Sequence, residues 1–271
     1  MKKRTFENIL LISDMDGTLL DSDSRISEQN REAIHRFVDA GGLFTLATGR
    51  TDRSVSHYLD QLPINVPAIT FNGAVIYDFA KDDVLWYDCL PENIYDVVKD
   101  VMVEFPELAV SIFHKKQVFT PAVNIETFKH AKREWFEPIQ VPLGEVPFPW
   151  YKIILAWDPP KLPAVDAYLA ARKEIFHKVY SEPQFLELLK ITTSKGHALK
   201  KLLEIINNPD LRVIAIGDNM NDLEMLKEAG VGVAVGNAAS KLKEKADICS
   251  VDHNMHAVSQ VIDWIECGHI A

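Results

Sequence analysis

Residues 8–20 read Asn8-Ile9-Leu10-Leu11-Ile12-Ser13-Asp14-Met15-Asp16-Gly17-Thr18-Leu19-Leu20, an apolar run that ends in two carboxylates and a glycine. A run of Ile and Leu bounded by Asp and Gly predicts an interior strand of a parallel sheet, covered on both faces. Ligands of open α/β sheets bind at the carboxyl ends of such strands. Because Asp14 and Asp16 repel each other, the pair is costly unless a cation or a substrate with exchangeable protons shares the site. Taken alone, the pair also fits a solvated Asx turn.

Two other buried-strand patterns also end in polar side chains. Residues 212–216 lead into Gly217-Asp218-Asn219-Met220-Asn221-Asp222, and residues 43–47 lead into Thr48-Gly49-Arg50. Since ligands bind where parallel strands end, we expect these groups to lie at the same edge of the sheet as Asp14. Together the three segments predict a chemical site.

With these segments, the chain resembles the haloacid dehalogenase (HAD) superfamily of phosphohydrolases, and more narrowly its Cof-type sugar-phosphatase branch. Four segments match the motifs of that family in order, namely Asp14–Leu19, Thr48–Arg50, Lys195-Gly196 and Gly217–Asp222. The segment Phe71-Asn72-Gly73-Ala74-Val75-Ile76-Tyr77-Asp78 is similar to the lead into the cap domain of this branch. The resemblance covers nearly the whole chain, and it implies a HAD core with a large inserted cap.

The first motif offers the two groups that phosphoryl transfer needs most. A phosphoryl group requires an in-line nucleophile, neutralisation of charge on its oxygens and a proton for the leaving alkoxide. Asp14 is the predicted nucleophile, giving an aspartyl-phosphate that water opens. Asp16 is the predicted general acid and base, a role that requires its pKa to be raised by a neighbouring charge or by desolvation.

The second, third and fourth motifs supply donors and a positive charge. Thr48 can donate its hydroxyl to a phosphate oxygen, and the N–H groups from Gly49 at the following helix start favour the same anion. Lys195 stands at another helix start and offers a compact positive charge to Asp14 and the phosphate. Asn221 is a further predicted donor to the substrate.

The carboxylates predict a magnesium site. No Cys or His accompanies them at ligand spacing, so a hard cation with oxygen ligands fits better than zinc. We expect Mg²⁺ to take Asp14, Asp16 and Asp218, where the resemblance implies that Asp16 contributes its main-chain carbonyl. Asp222 either holds a water ligand of the metal or orients Lys195.

Each of these residues also has a purely structural interpretation. Thr48 can cap a strand-to-helix turn, and Arg50 can pair with an acidic neighbour at the surface. Lys195 can be a surface lysine, and Asp222 can be an acidic residue at a helix N-terminus. Asn72 can belong to an ordinary turn or can face the substrate.

Composition limits the classes of protein and partner. With 271 residues, 47% hydrophobic and 25% charged, the chain is typical of a globular protein with one large or two modest domains. The net charge of −10 argues against nucleic acid as a partner. Three scattered cysteines, Cys89, Cys249 and Cys267, indicate reduced thiols in a cytoplasmic protein. No apolar stretch is long enough to cross a membrane.

The order of the patterns predicts an α/β fold with a doubly wound, mostly parallel, Rossmann-like sheet. Strand and helix patterns alternate in residues 1–80 and 191–271, which form the predicted core domain, with one helix expected over 52–62. Residues 81–190 are rich in proline and in aromatic strands, and they predict an inserted α+β cap with a helix over 162–176. The core motifs address only phosphate, metal and leaving oxygen, so we expect the cap to set substrate specificity.

Three functions fit these residues. The first is an Mg²⁺-dependent phosphatase that hydrolyses a small phosphorylated metabolite, such as a sugar phosphate, through an aspartyl-phosphate. The second is a phosphotransferase or mutase that passes the same phosphoryl group to an acceptor hydroxyl. The third is a regulatory module that binds a phosphometabolite without turnover. Occupancy of all four motifs favours an enzyme, and the first function is the one expected.

Overall fold

The computed structural model describes residues 6–172 and 175–270, and it divides the chain into two compact units. The first, here called the core unit, runs up to Arg50 and includes Val55–Trp86 and the chain from Ser194 onward. The second, the inserted unit, contains Thr51–Ser54 and Tyr87–Thr193. The division therefore falls a few residues C-terminal to the predicted crossings near residues 81 and 190.

The described residues form the following strands and helices. The strands are β1 (Ile9–Ser13), β2 (Leu43–Leu46), β3 (Ala68–Thr70), β4 (Val75–Asp78), β5 (Asp83–Tyr87), β6 (Ala109–His114), β7 (Gln117–Ala122), β8 (Pro138–Ile139), β9 (Lys152–Ala156), β10 (Phe176–Glu182), β11 (Phe185–Lys190), β12 (Arg212–Gly217), β13 (Val231–Ala234) and β14 (Ile248–Cys249). The helices are α1 (Glu28–Asp39), α2 (Asp52–Ser56), α3 (Ile94–Glu104), α4 (Ile125–Arg133), α5 (Leu162–Leu169), α6 (Lys195–Ile206), α7 (Leu223–Glu228), α8 (Ser240–Lys243) and α9 (Ala257–Cys267). None of the described helices is both long and apolar enough to span a membrane.

The main sheet of the core unit has five parallel strands in the order β14-β13-β12-β1-β2. Its interior strand β1, which lies between β12 and β2, is buried along its whole length, which explains why its sequence is a continuous apolar run rather than an alternating one. Ile12 is level with Ala215 of β12 and with Thr45 of β2, so the three strands end close to one another. The predicted α/β class and parallel core sheet are confirmed.

A second, three-stranded sheet in the order β3-β4-β5 extends the core unit. β3 pairs antiparallel with β4, and a single parallel bridge from Ala47 to Ile69 links the end of the second strand to β3. The strand pattern over residues 84–87, which we predicted at the start of the insert, joins this sheet instead. Local sequence gives the strand, but the pairing that assigns it to a sheet is set by tertiary structure.

Three helices differ from the sequence prediction. The helix expected over 52–62 is only α2, followed by a 3₁₀ turn at Leu59–Gln61, since this segment is rich in weak helix formers such as Ser, Val, His and Asp. The helix expected over 162–176 ends with α5 and a short 3₁₀ turn, and Phe176 already begins β10. The C-terminal helix α9 was not predicted. An ion pair of 2.6 Å between Arg36 of α1 and Asp263 of α9 connects these two helices.

The inserted unit is built on a six-stranded sheet in the order β10-β11-β9-β6-β7-β8, antiparallel except between β7 and β8. Buried side chains of α3 and α5 share one hydrophobic cluster with alternate residues of β6, β9 and β11. The remaining alternate residues, among them the buried ion pair of Lys152 and Glu187 (3.2 Å), belong to the other face of the sheet. This is the α+β composition predicted for the insert.

The stability of the inserted unit should depend on pH because it buries a histidine. His130 lies in an aromatic cluster, with its ring centroid 4.9 Å from that of Phe185 and 5.2 Å from that of Phe136. Burial, reinforced by the positive charges of Lys152 and Arg133, lowers the pKa of His130 to about 3. The ring is therefore neutral in the folded protein while the unfolded chain binds a proton below its ordinary pKa near 6.5.

We therefore expect this residue to weaken the protein as the pH falls from 6.5 towards 3, by about 1.4 kcal/mol per pH unit. The free energy of unfolding, measured by urea titration between pH 7.5 and pH 4.5, should fall less steeply in His130→Phe, which keeps a ring but cannot bind a proton. Equal slopes in the two proteins would show that His130 does not titrate on unfolding as stated.

Candidate active site

The predicted site residues lie at the carboxyl edge of the main sheet. Asp14 follows β1 directly, and its N–H donates to the carbonyl of Ile216 on the neighbouring strand (2.9 Å). The turn after it depends on Gly17, which has a φ of +75°. A β-carbon at this position would lie 2.5 Å from Asp218 Oδ2, so a glycine allows the first and fourth motifs to approach each other.

Lys195 connects the third motif to two of the carboxylates. It is the first residue of α6, whose N-cap Ser194 accepts a hydrogen bond from the N–H of His197 (3.0 Å). The Lys195 Nζ donates to Asp14 Oδ1 and to Asp222 Oδ1, each at 2.6 Å, and the side chain is 1% exposed. Burial alone would lower the pKa of Lys195, but the two carboxylates outweigh it and raise the pKa, so the ammonium stays charged.

Asp222 is fully buried and its two oxygens face different groups. Oδ1 accepts from Lys195, while Oδ2 accepts from the N–H groups of Asp218 (3.0 Å) and Asn219 (3.1 Å). Asp222 thus holds two groups in place, the loop that carries Asp218 and the ammonium of Lys195. Of the two predicted roles, this geometry favours the orientation of Lys195.

Three carboxylates converge beside this ammonium. One oxygen from each of Asp14, Asp218 and Asp222 lies within 4.8 Å of the others. Burial raises the pKa of Asp14 to about 8, in opposition to Lys195, and burial together with Asp222 raises the pKa of Asp218 to about 6. Crowded carboxylates with raised pKa values bind a cation favourably, and an all-oxygen donor set suits Mg²⁺. The residues present therefore fit the predicted metal.

Asp16 points to a different partner. Its side chain is 56% exposed, and its two oxygens accept from Arg50, from Nη2 at 2.6 Å and from Nε at 2.8 Å. Arg50 in turn donates from Nη1 to the hydroxyl of Tyr58 (3.1 Å). At least one of the two bonds from Arg50 has to open before Asp16 can donate a proton to a leaving group.

Arg50 pairs with an acidic neighbour, as the structural interpretation of its position predicts, and that neighbour is Asp16. The sequence did not predict that the neighbour would be a candidate site residue, although Arg50 stands two positions after Thr48 at the end of a strand. The structure places its guanidinium on the residue predicted to be the general acid. The available signal was the position of this arginine directly after two motif residues, Thr48 and Gly49.

The second motif and Asn221 meet through Asn72. Thr48 is buried, and its Oγ1 accepts from the N–H of Arg50 (3.1 Å), which leaves the hydroxyl proton to donate elsewhere. A β-carbon at Gly49 would lie 2.9 Å from Asn72 Oδ1, and Asn221 Nδ2 donates to the same oxygen at 3.2 Å. Of the predicted residues, Asp14, Asp218, Asp222 and Lys195 form one cluster, Thr48, Gly49 and Asn221 adjoin Asn72, and Asp16 is held by Arg50.

Comparison with known proteins gives this arrangement a family. The family of haloacid dehalogenase-like hydrolases matches residues 11–262. The putative phosphatase YxeH of Bacillus subtilis is 31% identical over 93% of this chain and 96% of its own. The 5-amino-6-(5-phospho-D-ribitylamino)uracil phosphatase YwtE of the same organism is 32% identical over 95% of this chain and 98% of its own.

Solved structures agree. A haloacid dehalogenase-like hydrolase from Bacteroides thetaiotaomicron superposes with a TM-score of 0.85 at 29% identity, and the alignment covers 94% of this chain and 98% of that one. The alignments with the two relatives and with the solved structure each cover the inserted unit as well as the core unit. The chain therefore belongs to the haloacid dehalogenase-like hydrolases, in the Cof-type phosphatase branch to which its motifs point.

Proposed function

We propose that this protein is an Mg²⁺-dependent phosphatase that hydrolyses a small phosphorylated metabolite through an aspartyl-phosphate on Asp14. The observation that carries the proposal is the buried Lys195 ammonium, which lies 2.6 Å from both Asp14 and Asp222 beside Asp218. A surface lysine would not be desolvated between two carboxylates, because the desolvation of three charges is repaid only by strong mutual interactions. Such an arrangement suits the binding of a phosphoryl group.

In the first half of the reaction, a carboxylate oxygen of Asp14 attacks the phosphorus atom of the ester. The new bond joins Asp14 to phosphorus, and the bond from phosphorus to the alcohol oxygen breaks. Lys195, which donates to Oδ1, holds the carboxylate in place and offsets the negative charge that gathers around it. Asp16, once released from Arg50, gives a proton to the departing alkoxide.

In the second half, water attacks the aspartyl-phosphate. Asp16 takes a proton from the water as the new bond to phosphorus forms, and the bond to Asp14 breaks to release inorganic phosphate. The Thr48 hydroxyl and the N–H of Gly49 bind phosphate oxygens in both halves. Asp14 and Asp218, with the main-chain carbonyl of Asp16, would hold Mg²⁺, which when bound neutralises negative charge on the transferring phosphoryl group.

The relatives and the division of the chain support the proposed substrate class. The YwtE relative is named for a small phosphorylated metabolite, and the core site residues address only phosphate, metal and leaving oxygen. We therefore assign recognition of the rest of the molecule to the inserted unit, acting as a cap.

The test is phosphate release from a panel of sugar phosphates, nucleotides, pyridoxal phosphate and small phospho acids, with Mg²⁺ and with a chelator. Release without any acceptor alcohol, lost on chelation, supports the phosphatase. Appearance of a new phosphate ester on an added acceptor alcohol, without release of inorganic phosphate, would identify a phosphotransferase, and binding of phosphate esters without either reaction would identify a regulatory module.

Proton release offers an independent test of the metal site. Since the pKa values of Asp14 and Asp218 are raised to about 8 and about 6, part of this cluster is protonated at neutral pH without metal. Mg²⁺ binding should expel those protons, so its affinity should rise from pH 6 to pH 8. Calorimetric titration in buffers with different ionisation enthalpies measures the protons released, and an affinity independent of pH would contradict the site.

A further inference from the structure

We propose that Asn72 is a positioning residue of the active site, which holds the phosphate-binding Thr48-Gly49 segment in register with Asn221. The inference rests on the proposed phosphatase function and adds a residue to its machinery. It starts from the turn of residues 71–73, which the sequence left open between an ordinary turn and a group that faces the substrate.

The backbone of this turn is costly. Phe71, Asn72 and Gly73 have φ values of +53°, +57° and +102°, so three consecutive residues adopt the left-handed region. Asn tolerates this region better than most residues, but a bulky residue such as Phe does not. Backbone of this kind persists where the surrounding structure over-determines it, and such places cluster at functional sites.

The turn is hydrogen-bonded along the second motif. The N–H of Asn72 donates to the carbonyl of Thr48 (2.9 Å), and the N–H of Phe71 donates to the carbonyl of Arg50 (3.0 Å). These two bonds flank Gly49 on either side. The side-chain amide of Asn72 then lies against Gly49, where a β-carbon would come within 2.9 Å of Oδ1 and 3.1 Å of Nδ2. The second motif is therefore fixed through both the backbone and the amide of Asn72.

The same turn also contacts the third and fourth motifs. Asn72 Oδ1 accepts from Asn221 Nδ2 at 3.2 Å, one residue before Asp222. Gly73 lies against the start of α6, where a β-carbon would come within 2.8 Å of the Lys195 N–H nitrogen. Asn72 itself is 8% exposed, whereas its partner Asn221 lies at the surface. One short turn therefore contacts the second, third and fourth motifs. In the proposed function these motifs bind the phosphate, hold the nucleophile and carry the metal ligand Asp218.

An amide is the group that this position requires. Its oxygen accepts from Asn221 and its uncharged surface fits against Gly49. A carboxylate would keep the acceptor oxygen but would add a negative charge near the place where the phosphate binds. An apolar side chain would leave the amide of Asn221 without this acceptor.

Asn72→Gly removes the side-chain amide without straining the backbone, because glycine adopts the left-handed region at no steric cost. We expect it to keep the thermal unfolding midpoint of the wild type within a few degrees while kcat/KM falls by roughly 10- to 100-fold, since small displacements of binding groups have effects of that size. The inhibition constant for inorganic phosphate should rise by a similar factor. Asn72→Asp should weaken phosphate inhibition further than Asn72→Gly.

A double-mutant cycle tests whether the amide works through Asn221. The effects of Asn72→Gly and Asn221→Ala on kcat/KM should be less than additive, because each removes the same contact. Fully additive effects, or wild-type kcat/KM and phosphate inhibition in Asn72→Gly, would overturn the proposal and leave an ordinary turn.

Equilibrium binding distinguishes this failure from failure of the proposed function. If the wild type releases no phosphate from any ester, the phosphatase proposal fails by itself. Titration of inorganic phosphate in the presence of Mg²⁺, followed by calorimetry, still compares the wild type with Asn72→Gly without turnover. Weaker binding in the variant supports the positioning role, and equal binding contradicts it.

Discussion

Asp14→Asn should reduce phosphate release by at least about 10³-fold while the protein remains folded. The amide of asparagine keeps an oxygen that can accept from Lys195, but it cannot form the aspartyl-phosphate. The substitution also removes a buried group that can ionise. Because the pKa of Asp14 is raised to about 8 in the folded protein, its ionised form is disfavoured there at neutral pH, and the metal-free variant should be as stable as the wild type or more stable.

Two measurements check this expectation, phosphate release with Mg²⁺ and thermal unfolding in a chelator. Asp263→Asn is the matched control, since it makes the same chemical change at an exposed carboxylate of α9 that is paired with Arg36. We expect the control to keep wild-type activity. An Asp14→Asn protein with more than a tenth of wild-type turnover would remove Asp14 as the nucleophile.

Lys195→Met should abolish activity and also destabilise the protein by about 3–5 kcal/mol, because it leaves Asp14 and Asp222 buried without their cation. The deficit should depend on pH. The Lys195 charge favours the ionised form of Asp14, so the variant leaves that form without its cation at high pH, whereas at low pH Asp14 can take up a proton. The free energy of unfolding should therefore be lowered more at pH 8 than at pH 5.

Lys200→Met provides the control on the same helix. Its side chain is 58% exposed and its ammonium pairs with Glu228 at 3.0 Å, an interaction that contributes little to stability at a surface. Urea unfolding of the two variants at pH 5 and pH 8 measures the difference. A Lys195→Met protein as stable as the wild type at pH 8 would show that the buried ion pair is not needed to hold the carboxylates.

The core of the site was predictable because a parallel sheet fixes where its strands end. Asp14 and Asp218 each follow a continuous apolar run, and the register of β1 with β12 places them side by side. The hydrophobic run, the carboxylate after it and the glycine in the turn are all local signals. The prediction of Lys195 needed one more signal, its position at the start of a helix.

Some features were not predicted because tertiary contacts determine them. Another was missed although the sequence carried a signal for it. The partner of the Asp16 carboxylate is set by the folded backbone, which brings Arg50 to it from 34 positions along the chain. The contact of Asn72 with Asn221 joins residues 149 positions apart. By contrast, α9 carried a readable signal, since its buried residues Val258, Val261, Ile262 and Ile265 recur with the period of an amphipathic helix.

The strand order of the main sheet constrains how the protein can form during synthesis. Of its five strands, only β1 and β2 precede the insert, while β12, β13 and β14 follow it. A chain still on the ribosome therefore presents β1 with one edge unpaired until residue 217 has been made, whereas the inserted unit has all of its residues once Thr193 has been made. The inserted unit can fold as a body during translation, and the catalytic half is completed last. Premature termination between β2 and β12 thus yields a product in which one edge of β1 is unpaired and the carboxylates of Asp218 and Asp222 are missing.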